Sequence, residues 1–323
     1  MKMKKTVLLI LCVLFIVSAL CGCSSNDVKR DKLSVVATIF PEYDWVRNII
    51  GNDSETISLS MLLDNGTDLH SYQPTANDIV RISTCDMFIY VGGESDNWVK
   101  DALKEASNKD MTVISLLDIL GENAMEEETP KGAETSHEEN DAEEKEYAEH
   151  VWLSLKNAAV FCGHIAEGLG AIDSKNKDKY LQNAKEYIDR INALDKKYRQ
   201  AIDDSKNRTL VFGDRFPFVY LAEDYGLECY AAFSGCSAET EASFKTVISL
   251  AEKINELSLG AVLKIETSDG SVANSIKNAT RTKDQMVLTL DSMQSINAKN
   301  AQDKDYLSVM EDNLKIIQTA LKK

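Results

Sequence analysis

Two histidines in this sequence stand where α/β proteins keep their chemistry. His70 lies in GTDLHSYQPTANDI, after an apolar run that ends at Leu63 and before Pro74, which opens the next helical pattern. His150 lies in EYAEHVWLSLKNA, where an acidic segment gives way to a helical pattern. Two aspartates hold matching places in the second half. Asp214, in VFGDRFPFVY, follows one strand-like run, and Asp291, in LTLDSM, ends another. Ligand residues of open α/β sheets collect at such strand ends. Two imidazoles and two carboxylates from both halves of the chain can converge on one divalent cation. Imidazole and carboxylate suit zinc, and also manganese or iron. The remaining histidines carry less. His164 sits in a helical pattern and reads as structural, and His137 is the single imidazole of the acidic segment.

The elements that must position these residues alternate. Strand-like runs occupy 33–40, 56–63, 86–91 and 111–117, with helical stretches at 42–51, 75–83 and 96–107. A second series has strands at 209–213, 228–233, 259–266 and 286–290, with helical patterns at 217–226, 239–257, 270–280 and 304–322. Short apolar strands alternating with helices imply βαβ units and parallel sheets. The expected fold is α/β, with two lobes (33–173 and 205–323), each a four-stranded, mainly parallel sheet flanked by helices. Between them, 174–204 places Tyr180, Ala184, Tyr187, Ile191, Leu194, Tyr198 and Ala201 at alternating spacings of four and three, with no Gly or Pro inside. That is one apolar stripe on one helix, roughly 45 Å long at 1.5 Å per residue, able to tie both lobes stiffly.

The chain has 323 residues and a formal charge of −16, so nucleic acid is an unfavourable partner. Lys2, Lys4 and Lys5 precede an apolar run from Thr6 to Leu20, of signal-peptide length and short for a membrane span. It leads into Leu20-Cys21-Gly22-Cys23, which resembles a bacterial lipobox. Residues 1–22 then read as a lipoprotein signal, Cys23 as the lipidated residue and 23–32 as a tether; an ordinary secretion signal is the alternative. Acyl chains on Cys23 would anchor the protein to the outer face of the bacterial cytoplasmic membrane. Cys85, Cys162, Cys229 and Cys236 remain. An exported chain can oxidise them, Cys229 with Cys236 being close enough to pair, or they stay as free thiols. Residues 122–149 hold twelve acidic side chains against Lys131 and Lys145, and no Val, Ile, Leu or Phe. Such a segment cannot bury a core and reads as a mobile loop, either a solvated insertion or a collector of cations.

Taken together, GTDLHSYQPTANDI, CDMFIYVGGESDNWV, EHVWLSLKNA, the long central helix, FPFVYLAEDYGL and LDSM resemble the solute-binding lipoproteins of zinc and manganese ABC importers, with the TroA-like fold. The resemblance covers nearly all of the chain after the signal. It implies two four-stranded lobes joined by one rigid helix, no enzymatic activity, and a monomer that passes its ion to a membrane permease driven by a cytoplasmic ATPase. It also implies His70, His150 and Asp291 as ligands. An acidic loop before the second ligand is typical of the zinc-type members, though usually rich in His rather than Glu. The departure lies at the third ligand, where the family's His or Glu falls on Arg215. Arg has no lone pair to offer. About 5 Å from a divalent ion it would be repelled by roughly 7 kcal/mol at an effective dielectric of about 20.

Three sources for the missing donor stay open. Asp214 can supply an oxygen through a one-residue shift, with Arg215 turned away to pair with an acid. Water can complete a shell of His70, His150 and Asp291. Or Cys236 or Glu239, from GCSAETE, can reach in. Asp214 and Arg215 can also simply form a salt bridge that holds their turn. Glu266 and Asp269 read as acceptors that orient a His N–H, or as an acid-rich helix start. Trp152 and Tyr72 read as packing that shields the site. The expected function is an extracytoplasmic receptor for zinc, with manganese second. The alternatives are a receptor for an anionic metal chelate with Arg215 as clamp, and a secreted zinc hydrolase, against which stands the absence of an HExxH motif.

Overall fold

The alternation of apolar runs and helices resolves into two parallel sheets. The computed structural model describes residues 32–51, 55–133, 146–236 and 241–322. Strands β1 (Leu33–Ala37), β2 (Ile57–Met61), β3 (Met87–Tyr90) and β4 (Thr112–Ser115) form the first sheet, in the order β2-β1-β3-β4. Strands β5 (Thr209–Phe216), β6 (Glu228–Ser234), β7 (Ala261–Ile265) and β8 (Met286–Leu290) repeat that order as β6-β5-β7-β8. All pairings are parallel. In each sheet the chain reverses direction of travel between the two central strands, which opens a crevice at their carboxyl ends.

Helices α1 (Phe40–Ile50), α2 (Ala76–Thr84), α3 (Val99–Lys104), α4 (Leu116–Leu120) and α5 (Leu155–Ile172) accompany the first sheet. Helices α7 (Val219–Tyr225), α8 (Phe244–Leu257), α9 (Ser271–Ala279) and α10 (Tyr306–Leu321) accompany the second. Several begin on side-chain caps. Thr75 and Asp78 cap each other at the start of α2, Ser154 accepts from the Asn157 N–H at α5, and Asp305 accepts from the Ser308 N–H at α10. Each such cap is worth about 1 kcal/mol.

The long helix α6 (Lys177–Asp203) joins the lobes. Its stripe is buried as spaced, Tyr180, Ala184, Tyr187, Ile191, Leu194 and Tyr198, and ends on Ile202 rather than Ala201. The stripe packs against α1, α5 and α10, so one helix grips elements of both halves. Two of its phenols also find acceptors: Tyr198 donates to the Met310 carbonyl at 2.6 Å and Tyr180 to Asp173 at 2.8 Å.

The second sheet shows how one strand serves two layers. Leu210 and Phe212 on β5 and Leu263 on β7 face the main core, which runs on into the first lobe; Val211 and Val262 face a separate cluster under α8 and α9. Side chains on a strand alternate faces, so each β5 residue commits to one layer. Because the main core is continuous between the sheets, the lobes resist independent movement.

Two expectations change. Strand β5 runs on to Phe216, so Asp214 and Arg215 are strand residues rather than loop tips, and its register against β6 shifts between Phe212 and Arg215. A Cβ on Gly213 would lie 2.4 Å from the Ala273 Cα, so only glycine lets β5 and α9 approach so closely there. The acidic segment is not free of the body where it is described: Lys131 bridges Tyr230 on β6, while Glu126 bridges Tyr147 within the segment. Backbone pairing supplies what its side chains cannot. Of the two alternatives open to Cys85, Cys162, Cys229 and Cys236, the structure shows the thiols: no disulfide joins them among the described residues. Cys23, His137 and Glu239 lie outside the described residues. No described helix is long and apolar enough to cross a membrane.

Candidate metal centre

His70 lies in a single 3-10 turn (Leu69–Ser71) capped by Asp68, whose side chain accepts from the His70 N–H at 3.1 Å. His150 immediately precedes a second such turn (Val151–Leu153). Short turns fix their residues without a helix's regular spacing, so each ring can be aimed individually. The two Nε2 atoms face each other at 3.2 Å. Two Zn–N bonds of about 2.05 Å at a tetrahedral angle place their nitrogens about 3.3 Å apart. The imidazoles thus stand at the separation that one tetrahedral ion would impose.

The protons on these rings follow from their neighbours. Ser95 Oγ donates to Glu149 Oε2 at 2.5 Å, and the Ser95 N–H donates to Glu149 Oε1 at 2.8 Å. The Ser95 hydroxyl is therefore an acceptor toward His70 Nδ1, 2.8 Å away. Glu149 Oε2 is itself 3.3 Å from Nδ1. This places the His70 proton on Nδ1 and leaves the Nε2 lone pair for a cation, the carboxylate-backed arrangement of metal-binding histidines. Gly93, with φ +81°, makes room for it: a Cβ there would sit 2.4 Å from Glu149 Oε1. His150 is held far below the usual imidazole range, first by burial, then by the charge of His70 and of Arg215. The shift favours the unprotonated ring, the form that can ligate.

The third group placed to serve as a donor is a thiol. Cys236 Sγ and the two imidazoles offer ligand atoms that all lie within 4.8 Å of one another. Burial and the nearby Glu127 and Glu149 carboxylates push the Cys236 thiol pKa up, so a cation must displace its proton to bind. A cavity of about 320 Å³ opens on this group, lined among others by His70, Glu94, Glu127, Glu146, Glu149 and Cys236. Tyr72 also lines it, and Trp152 packs its ring 5.1 Å from that of His150 while donating to the Ser292 carbonyl across the lobes.

Neither aspartate joins the imidazoles. Asp214, expected to supply an oxygen, is turned to the backbone: Oδ1 accepts from the Arg215 N–H at 2.8 Å and Oδ2 from the Ile265 N–H at 3.2 Å. The carboxylate thus ties β5 to β7, and backbone N–H groups claim both oxygens. Asp291, expected as the last ligand, accepts from the Met293 N–H at 2.8 Å and faces Lys304 at 3.3 Å. Its turn instead carries Gln294 inward. Gln294 Oε1 is buried and faces the His150 ring, whose charged form it favours. Nothing in the sequence separated Gln294 from Asp291, because three residues of turn geometry decide which one points in. Arg215 sends its guanidinium to Asp68 at 2.9 Å, so it does turn to an acid, in the other lobe. Glu266 accepts from Ser292 and Gln294 rather than from an imidazole, and Asp269 accepts from the Ser271 N–H at the start of α9.

The chain has relatives whose likeness extends over its whole length. It is 30% identical over 322 residues to the zinc-binding lipoprotein AdcA of Streptococcus pneumoniae, covering 98% of this chain and 61% of that protein. It therefore spans less than two thirds of that relative. It is 28% identical over 324 residues to the high-affinity zinc uptake system protein ZnuA of Bacillus subtilis, covering 97% of each. The crystal structure of the Zn(II)-bound ZnuA-like domain of S. pneumoniae AdcA superposes with a TM-score of 0.69 at 26% identity, over 90% of this chain and 100% of that domain. Residues 35–320 match the family described as zinc-uptake complex component A, periplasmic, and the chain belongs to that family.

Proposed function

We propose that this protein is an extracytoplasmic receptor that captures a transition-metal ion, zinc before manganese, and delivers it to the permease and ATPase of an ABC importer. The observation that carries the reading is the pair of imidazoles held 3.2 Å apart, one backed by Ser95 and Glu149, with the Cys236 thiol beside them. The ion is cargo, and no reaction is assigned to the chain. A thiol favours zinc over manganese, which prefers oxygen. Membership of a zinc-uptake family and the zinc-binding names of the AdcA and ZnuA relatives support the same cargo. Residues 1–22 act as the export signal and Cys23 carries the lipid, in keeping with a relative named as a lipoprotein. The chelate reading loses ground because the Arg215 guanidinium is already matched by Asp68.

Calorimetry on the metal-stripped mature protein tests this. Zinc is expected to bind with a sub-micromolar Kd and more tightly than manganese. Failure of both ions to bind below micromolar would end the reading.

A further inference from the structure

We infer that Glu127, from the acidic segment, supplies the fourth donor to the captured ion through Oε2. This rests on the receptor reading above. A closed tetrahedral zinc site needs four donors, and the imidazoles and Cys236 give three. Both aspartates are committed to other partners. Glu127 is held differently. Its Oε1 accepts the Gly235 N–H at 2.9 Å, next to the Cys236 ligand, while Oε2 is buried and has no hydrogen-bond partner. Its carboxylate lines the same cavity as His70 and Cys236 and feels the charge of both. A buried carboxylate oxygen without a partner is costly unless something fills the place.

Gln294 Oε1 is the rival donor, since it is buried and lies against His150, but zinc takes carboxylate oxygen far more commonly than a neutral amide.

The test is zinc affinity, by chelator competition, on the full mature chain and on Glu127→Gln, Gln294→Leu and His70→Ala, with zinc-edge X-ray absorption on each zinc-loaded form that binds. Glu127→Gln keeps an oxygen for the Gly235 N–H, so a residue that only positions Cys236 would tolerate it. The expected result is a loss of more than about tenfold in affinity for Glu127→Gln, with the melting temperature of the metal-free protein unchanged and one oxygen scatterer weakened or lost. An affinity within about twofold of the parent, or a loss confined to Gln294→Leu, overturns the assignment of Glu127 while leaving the receptor reading intact. Absence of zinc binding by the parent, or an unaffected His70→Ala, overturns the receptor reading and the assignment with it.

Discussion

The two lobes bring unlike kinds of side chain to the same crevice. The first contributes two imidazoles, of which His70 sits in a turn capped by Asp68 and is backed by Ser95 and Glu149. The second contributes acids that the backbone has already claimed, Asp214 at a strand bulge and Asp291 at a turn, together with a thiol and an amide. A residue at the right strand end is thus only a candidate. Whether it can ligate depends on whether nearby N–H groups have already taken its lone pairs.

Breaking the imidazole side should have the largest effect. His70→Ala is expected to lower zinc affinity by more than about a hundredfold, beyond the loss typical of outer partners of a metal ligand. Titration calorimetry against the parent reads it directly. Retention of parental affinity would place the ion elsewhere.

A second difference between the lobes lies behind the imidazoles. Glu42 is fully buried in the first lobe, with Oε2 accepting from Thr38 and Ile39 and Oε1 unpartnered. Burial, and then the nearby Asp96, raises its pKa to about 8; burial foremost raises Asp96 to about 7. Between the ordinary carboxylate range and these values the folded chain keeps protons that the unfolded chain has released. Stability is therefore full only below the ordinary carboxylate range, falls as pH rises from there by up to about 1.4 kcal/mol per pH unit for each proton, and levels off once pH passes about 7 for Asp96 and about 8 for Glu42. Thermal melts of the metal-free protein from pH 5 to 9 should show this decline, and Glu42→Gln should flatten it. A melting temperature that rises over the same range would contradict the buried-acid assignment.

Glu149→Gln sharpens the contrast by weakening the brace without removing a ligand. A fall of about tenfold to a hundredfold in zinc affinity is expected. An unchanged affinity would mean that Ser95 alone orients His70.

The smallest effects on binding belong to the second lobe's acids. Asp214→Asn should cost about 1–3 kcal/mol of stability, because it weakens the acceptors of buried N–H groups. Zinc affinity should stay within about twofold. Asp291→Asn should also leave affinity unchanged. A large affinity loss in either variant would restore that aspartate as a ligand.

Much of the fold was legible because periodicity is local. Strand runs such as 86–91 and the stripe from Tyr180 to Tyr198 record which side faces apolar surroundings, and the structure pairs and buries them accordingly. The imidazoles were legible too, since His70 and His150 each adjoin an element end, and the chain brings those ends together. Gln294 and Glu127 left no such mark. An amide in a turn and one glutamate among twelve acidic residues look like solvated surface until tertiary packing buries one oxygen of each.

By itself the sequence determined the α/β class, the two sets of four strands, the stiff helix between them and the pair of histidines that would meet. These depend on residue spacing along single elements. Only the tertiary structure decided which oxygens and sulfur surround that pair. It gave Asp214 to Ile265, Asp291 to Lys304 and Arg215 to Asp68, and it brought Cys236 beside the rings. The reason is that hydrogen-bond capacity is settled by competition among groups far apart in the chain. A bulge of one residue, or a turn of three, is enough to change the winner.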